Sequence, residues 1–118
     1  MSKFRFQDFE IWHEAVQVGG RLCQIADQFE ERKLFRFAEQ LRGAALSLSN
    51  NIAEGSGSTS SREFQQFLNF SRRSVFENAN MLLFFVTHHY LHEAAIESLL
   101  DDLDRLSAKI LKFSRSLG

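Results

Sequence analysis

The chain has 118 residues, 44% of them apolar and 25% charged, with six Gly and no Pro, which is the size of one globular domain with a core of its own. Fourteen Lys and Arg against fifteen Asp and Glu give a formal net charge of −1, so no overall basic field holds a polyanion and any nucleic-acid contact needs a local patch. One Cys excludes an intrachain disulfide. The longest apolar run, Met81 to Val86, is far short of the roughly 20 residues of a membrane span, and the first residues lack the apolar run of a signal peptide. The expected protein is cytoplasmic, with no membrane partner.

A chain without Pro can run long helices joined by turns of Gly, Ser, Asn and Asp, and the apolar spacing predicts four. The first opens near Asp8 as N-cap and carries two apolar series, Phe9, Trp12, Val16, Gly19, Cys23, Ala26 and Ile11, Ala15, Val18, Leu22, Ile25, Phe29, each alternating steps of three and four. The second, from about Arg32 to Glu54, repeats Leu34, Ala38, Leu41, Ala45, Leu48 and Ile52. Gly55-Ser56-Gly57-Ser58-Thr59 ends it, with Gly suited to a left-handed cap. Ser60 and Glu63 have capping-box spacing and open the third helix, whose core line of Phe64, Phe67/Leu68, Ser71, Val75, Asn78, Leu82 and Phe85 runs toward His88. After a turn at His89 to His92, the fourth holds Ile96, Leu99, Leu103, Leu106, Ile110, Phe113 and Leu117 in heptad register. Short loops make successive helices antiparallel, so the expected fold is all-α, one up-down-up-down four-helix bundle over residues 1–118.

Once each helix has been given one core stripe, apolar residues are left over. They are the Ile11 series of the first helix, Phe35 and Leu46 on the second, and Phe70, Phe76, Leu83 and Phe84 on the third. Thirteen Phe in so short a chain are better buried between subunits than exposed on a monomer. Self-association is therefore expected from the residues alone.

Gln40-Leu41-Arg42-Gly43-Ala44-Ala45-Leu46-Ser47-Leu48-Ser49-Asn50-Asn51-Ile52-Ala53-Glu54-Gly55, with Phe6 to Ala15 before it and Arg62-Glu63-Phe64 after it, resembles the bacterial four-helix-bundle family of 23S rRNA intervening-sequence proteins. Asn51 to Gly55 is the most specific string, and Ser74 and Glu77 match a further Ser-x-x-Glu element. The chain departs from the pattern at Ser49, where Pro is common, and at Arg73, where Gly is common. The resemblance implies a bundle that assembles into a homopentameric ring and brings no enzymatic activity. A distant likeness, to the accessory protein of diversity-generating retroelements, adds RNA or DNA as an implied partner. The loss of Pro at Ser49 predicts a straighter second helix.

Ser47, Asn51 and Glu54 share a face of the second helix, with Asn50 beside them, and Ser74 and Glu77 share a face of the third. These six residues read either as a structural hydrogen-bond network or as a partner site. Glu54, in the last turn, opposes the helix macrodipole and so calls for a partner. Arg105, Lys109, Lys112 and Arg115 fall on one side of the last helix, and Lys33 and Arg36 stand at the start of the second with Arg32 and Arg42. Repeated around a ring, these cations could contact phosphates, although Asp101 is placed to pair with Arg105 at i, i+4. His88, His89 and His92 read as a polar turn rather than a metal site, because a di-metal bundle needs two Glu-x-x-His pairs and Glu10-Ile11-Trp12-His13 is the only instance. Cys23 reads as a core thiol, and Gly55-x-Gly57 lacks the Lys and spacing of a phosphate loop. No catalytic constellation and no cofactor motif can be assembled. The functional expectation is a non-enzymatic homo-oligomeric scaffold or adaptor, with a direct RNA- or DNA-binding accessory protein as the alternative.

Overall fold

The computed structural model describes residues 3–118. Four helices make up the fold, α1 (Glu10–Glu31), α2 (Phe35–Ser56), α3 (Ser61–Thr87) and α4 (Glu97–Ser116), with single 3-10 turns at Arg5–Asp8 and Glu93–Ala95. Cross-helix contacts run in opposite order along every neighbouring pair. Gly19 meets Ala45 while Asp27 meets Arg42, Ala44 meets Asn78 while Gly55 meets Phe64, Gln65 meets Ser114 while Arg72 meets Ser107, and Glu14 meets Lys109 while Arg21 meets Asp102. The bundle is therefore antiparallel throughout.

Three of the helix boundaries differ from the sequence reading. Asp8 is not the N-cap of α1. It ends the preceding 3-10 turn, and Phe9 takes the cap position without a side-chain bond. That turn is held by the Phe4 N–H donating to Gln7 Oε1 at 2.7 Å and by Phe6 packing on Trp12 at 5.1 Å between ring centroids. The second helix starts at Phe35 and not at Arg32, because residues 32–34 close α1. Leu34 N donates to Phe29 O at 2.8 Å and Lys33 N to Glu30 O at 2.9 Å, with Lys33 at φ 64°. This is the Schellman pattern, with a lysine where glycine is usual. His89, at φ 65°, ends α3 in the same way, with Tyr90 N bonded to Phe85 O at 2.7 Å. Conversely, Gly55 lies inside α2, and Gly57 caps that helix at φ −82°, so no left-handed glycine is used there. Ser60 does cap α3, its Oγ accepting from Glu63 N at 3.1 Å.

The core corrects one further expectation. The whole Ile11 series, Ile11, Ala15, Val18, Leu22, Ile25 and Phe29, is buried and is not surplus. Of the other series, Gly19 and Ala26 are buried, Trp12 and Cys23 are half-buried, and Val16 is exposed. The α4 heptad is buried from Ile96 to Ile110 and half-buried at Phe113 and Leu117. Aromatic clusters close both ends of the bundle. Phe9, Phe64 and Phe113 meet at 4.9–6.0 Å at one end, and Phe85 lies 4.7 Å from Phe29 and 5.3 Å from Phe37 at the other. Helix α2 runs unbroken through Ser49.

Candidate functional site

Helices α2 and α3 approach closely enough for side chains on one to bond main-chain carbonyls on the other. Asn78 Nδ2 donates to Ala44 O at 2.9 Å and to Ser74 O at 2.8 Å, and the Ser71 hydroxyl donates to Leu48 O at 2.7 Å. One step outward, Ser47 Oγ and Ser74 Oγ share a 2.7 Å bond, and Asn51 Nδ2 donates to Ser47 O at 2.9 Å and to Ser47 Oγ at 3.0 Å. Small residues permit this approach. A Cβ on Gly55 would stand 2.6 Å from Phe67 Cβ and 2.8 Å from Phe64 Cδ1, so a larger residue there would force the helices apart. Polar groups withdrawn from water must find partners, and this ladder supplies them, apart from Asn78 Oδ1, which is buried without one.

Outside the ladder lies a hollow of about 380 Å³ lined by Ser47, Asn51, Phe70, Arg73, Ser74 and Glu77. The structure thus brings together four of the six predicted polar residues, Ser47, Asn51, Ser74 and Glu77. Asn50 and Glu54 stand exposed and outside the hollow. Among the described residues, no side-chain hydrogen bond or ion pair reaches the Glu54 carboxylate, contrary to the partner expected for it. Two members of the ladder, Ser71 and Asn78, were legible only as positions on a core line. Their signal was polarity on a buried stripe.

Residues 7–112 match the 23S rRNA-intervening sequence protein family. The chain belongs to that family. No curated protein matches it. The family-like string Asn51 to Gly55 lies on the α2 side of this seam. Asn51 bonds back to Ser47, Ile52 is buried in the core, and Gly55 sits under Phe64 and Phe67. Arg73 is exposed and lines the hollow, so its bulk points away from the close approach.

The predicted basic residues divide into two sets. Arg105 pairs with Asp102 at 3.0 Å, and Arg21 of α1 pairs with the same carboxylate, so Asp102 takes the role expected of Asp101. Lys109 is bonded to Glu14 at 2.6 Å and to Glu10 at 3.0 Å. These two carboxylates, that of Glu14 first, hold the ammonium pKa above its usual 10.5. Arg42 is likewise raised by its hydrogen bonds to Asp27 and Glu30. Lys33, Arg36, Lys112 and Arg115 are exposed, and among the described residues none has a carboxylate within ion-pair distance. Lys33 and Arg36 lie at the α1–α2 turn, whereas Lys112 and Arg115 lie near the end of α4. At the α3–α4 turn, His88 packs on Phe84 at 4.4 Å. Among the described residues, no three His, Cys, Asp or Glu side chains converge in a metal-binding group, and no helix is long and apolar enough to cross a membrane.

Proposed function

We propose that this protein is a non-enzymatic cytoplasmic scaffold that assembles from several copies of itself, most economically a pentameric ring, and engages a protein or nucleic-acid partner through the assembled surface. One observation carries the reading. Phe35, Leu46, Phe70, Leu83 and Phe84, with Phe76 apart from them beside α4 and no part of this surface, are each between 45% and 60% exposed, although the bundle already has a complete core. Apolar surface on this scale beyond the core marks an interaction surface. The Ser47, Asn51 and Ser74 ladder then serves as a structural pin that fixes the spacing of α2 and α3, and so the shape of the face they present. Light scattering on the purified chain is expected to give a particle several times 13.7 kDa. A clean monomer at micromolar concentration overturns the proposal.

Direct nucleic-acid binding has narrower support, namely Lys33, Arg36, Lys112 and Arg115, four of the predicted cations, which among the described residues have no carboxylate partner. Arg105 and Lys109 are neutralised within the bundle and add little to a phosphate track. If the reading is correct, log affinity falls with log salt at roughly −0.7 per contact on a single strand. No retention of RNA or DNA at about 50 mM salt rejects it.

A further inference from the structure

Beside α4, on the far side of α3 from the polar hollow, two adjoining cavities of about 330 and 220 Å³ share Phe76, Asp104 and Ser107. Together they form one groove between α3 and α4, running beside α4 from Leu100 to Arg115, a length of about 22 Å at 1.5 Å per residue. Its floor is apolar, with Ala79, Leu100 and Leu111 beside a Phe76 ring that is 61% exposed. One end is rimmed by Arg72, Lys112 and Arg115. The Arg72 guanidinium lies 5.7 Å from the centre of the Phe76 ring, and its Nε donates to Ser107 O at 3.2 Å, which holds a positive charge over the apolar floor.

The rim charges are not neutralised within the fold. Among the described residues none of the three has a carboxylate partner, and Asp104 is the one acidic side chain lining the groove. Nor, among the described residues, does Lys112 or Arg115 donate a hydrogen bond to the carbonyls at the end of α4, although Arg115 lies in its last turn. Gln65 Nε2 already donates to Ser114 O at 2.8 Å and to Leu117 O at 3.3 Å. An apolar trough between two helices with cations at one end suits an amphipathic helix laid along it, its apolar face down and its acidic residues toward the rim.

We infer that the α3–α4 groove binds an acidic amphipathic helix supplied by a protein partner. The inference rests on the adaptor reading and names its partner class. Charge argues against a second copy docked about a two-fold axis and against a nucleic-acid strand, and a copy docked head to tail, as in a ring, is separated by the particle mass of Phe76→Ser. A second copy meeting this groove about a two-fold axis would set Arg72, Lys112 and Arg115 against themselves, since such a contact pairs the same patch on both subunits. A nucleic-acid strand needs cations along its whole track and bases stacked on successive rings, whereas this groove has charge at one end and a single exposed ring.

The test uses the full-length protein and a fluorescent helical peptide of about 18 residues, with Leu along one face and Glu flanking it, followed by anisotropy. Saturable binding is expected, weakened about tenfold or more by Phe76→Ser and by Lys112→Glu with Arg115→Glu, and equally by replacing the peptide's Glu with Lys. These positions are exposed, and circular dichroism checks that each variant stays folded. Absence of saturable binding, or binding indifferent to these changes, overturns the inference. So does tighter, Lys112-dependent binding of a single-stranded RNA of about 20 nucleotides in place of the peptide. A change of particle mass in Phe76→Ser assigns the groove to contacts between copies and also overturns it. Light scattering on the same samples separates the two readings. An assembly that ignores the peptide defeats this inference alone, and a monomer that binds it defeats the self-assembly reading alone.

Discussion

Two seams of this bundle solve the same packing problem with different chemistry. Between α2 and α3, short side chains reach main-chain carbonyls across a close approach, as in Asn78 to Ala44 O and Ser71 to Leu48 O. Between α1 and α4, long charged side chains span the gap, Arg21 to Asp102 and Lys109 to Glu10 and Glu14. The first kind of contact demands a fixed distance and is shielded from water. The second tolerates variation in distance and is half open to solvent, with Arg21 40% and Asp102 34% exposed. Geometry is therefore set at α2–α3, while the polar contacts that join α4 to α1, beside its buried heptad, are ones that salt can weaken.

The largest expected effect lies in the rigid seam. Asn78 is fully buried, and Asn78→Ala removes two donated bonds and leaves a cavity. A loss of about 2–3 kcal/mol is expected, seen as a melting midpoint lower by roughly 10 °C and unchanged by added salt. A shift within error would mean that the seam does not set the geometry.

A smaller effect is expected one layer out. Ser47→Ala, Ser74→Ala and the double variant form a cycle, and their shared bond should give a coupling of about 0.5–1.5 kcal/mol. Asn51→Ala should cost only about 0.5–1 kcal/mol, because both of its bonds stay within α2 and the residue is half-buried. If Asn51→Ala instead costs more than Asn78→Ala, the order of the two layers is wrong.

The difference between the seams also explains what the residues reveal before folding. Periodicity exposes whatever repeats along one helix, so the buried heptad of α4 from Ile96 to Ile110, the Ser60 cap and the six exposed apolar side chains were all legible. It could not rank the two apolar series of α1, because which one faces the core depends on where α2 and α4 sit. The start of α2 is not legible because the turn at Lys33 adopts a left-handed conformation without Gly or Asn to signal it. Ser47 and Asn51, like Ser74 and Glu77, group by helix spacing, whereas Ser71 and Asn78 read only as positions on a core line, because their partner carbonyls, Leu48 O and Ala44 O, lie on another helix. The α1–α4 ion pairs join residues about 80 to 100 positions apart. Local spacing therefore favoured Asp101 for Arg105, when the register of α1 selects Asp102, which Arg21 can reach as well.

The soft seam should respond to salt where the rigid one does not. Arg21→Met removes the bonds to Asp102 and Ser98, and as a solvent-screened pair it should cost less than about 1 kcal/mol. The gap from wild type should shrink between about 50 mM and 500 mM salt as the Debye length shortens. A gap that holds constant across that range would show that Arg21 acts through packing of its stem instead of through charge.

The smallest effect, and the most specific, is a response to alkaline pH. Glu14 and Glu10 raise the Lys109 pKa above 10.5 in the folded protein, so the folded state holds this proton more tightly than the unfolded chain. Its contribution is fully present below the unfolded value and is lost as pH rises through the raised folded value. The midpoint difference between wild type and Lys109→Met should therefore be constant from about pH 7 to pH 10 and close above that. Any other group that ionises in this range does so in both proteins and cancels in the difference. The α2–α3 ladder of Ser47, Asn51, Ser71, Ser74 and Asn78 has no ionising group, so the difference between wild type and Asn78→Ala should stay flat over the whole range. If the Lys109 difference is equally flat, the bonds to Glu10 and Glu14 do not help dock α4, and the division into a rigid seam and a soft one fails on its soft side.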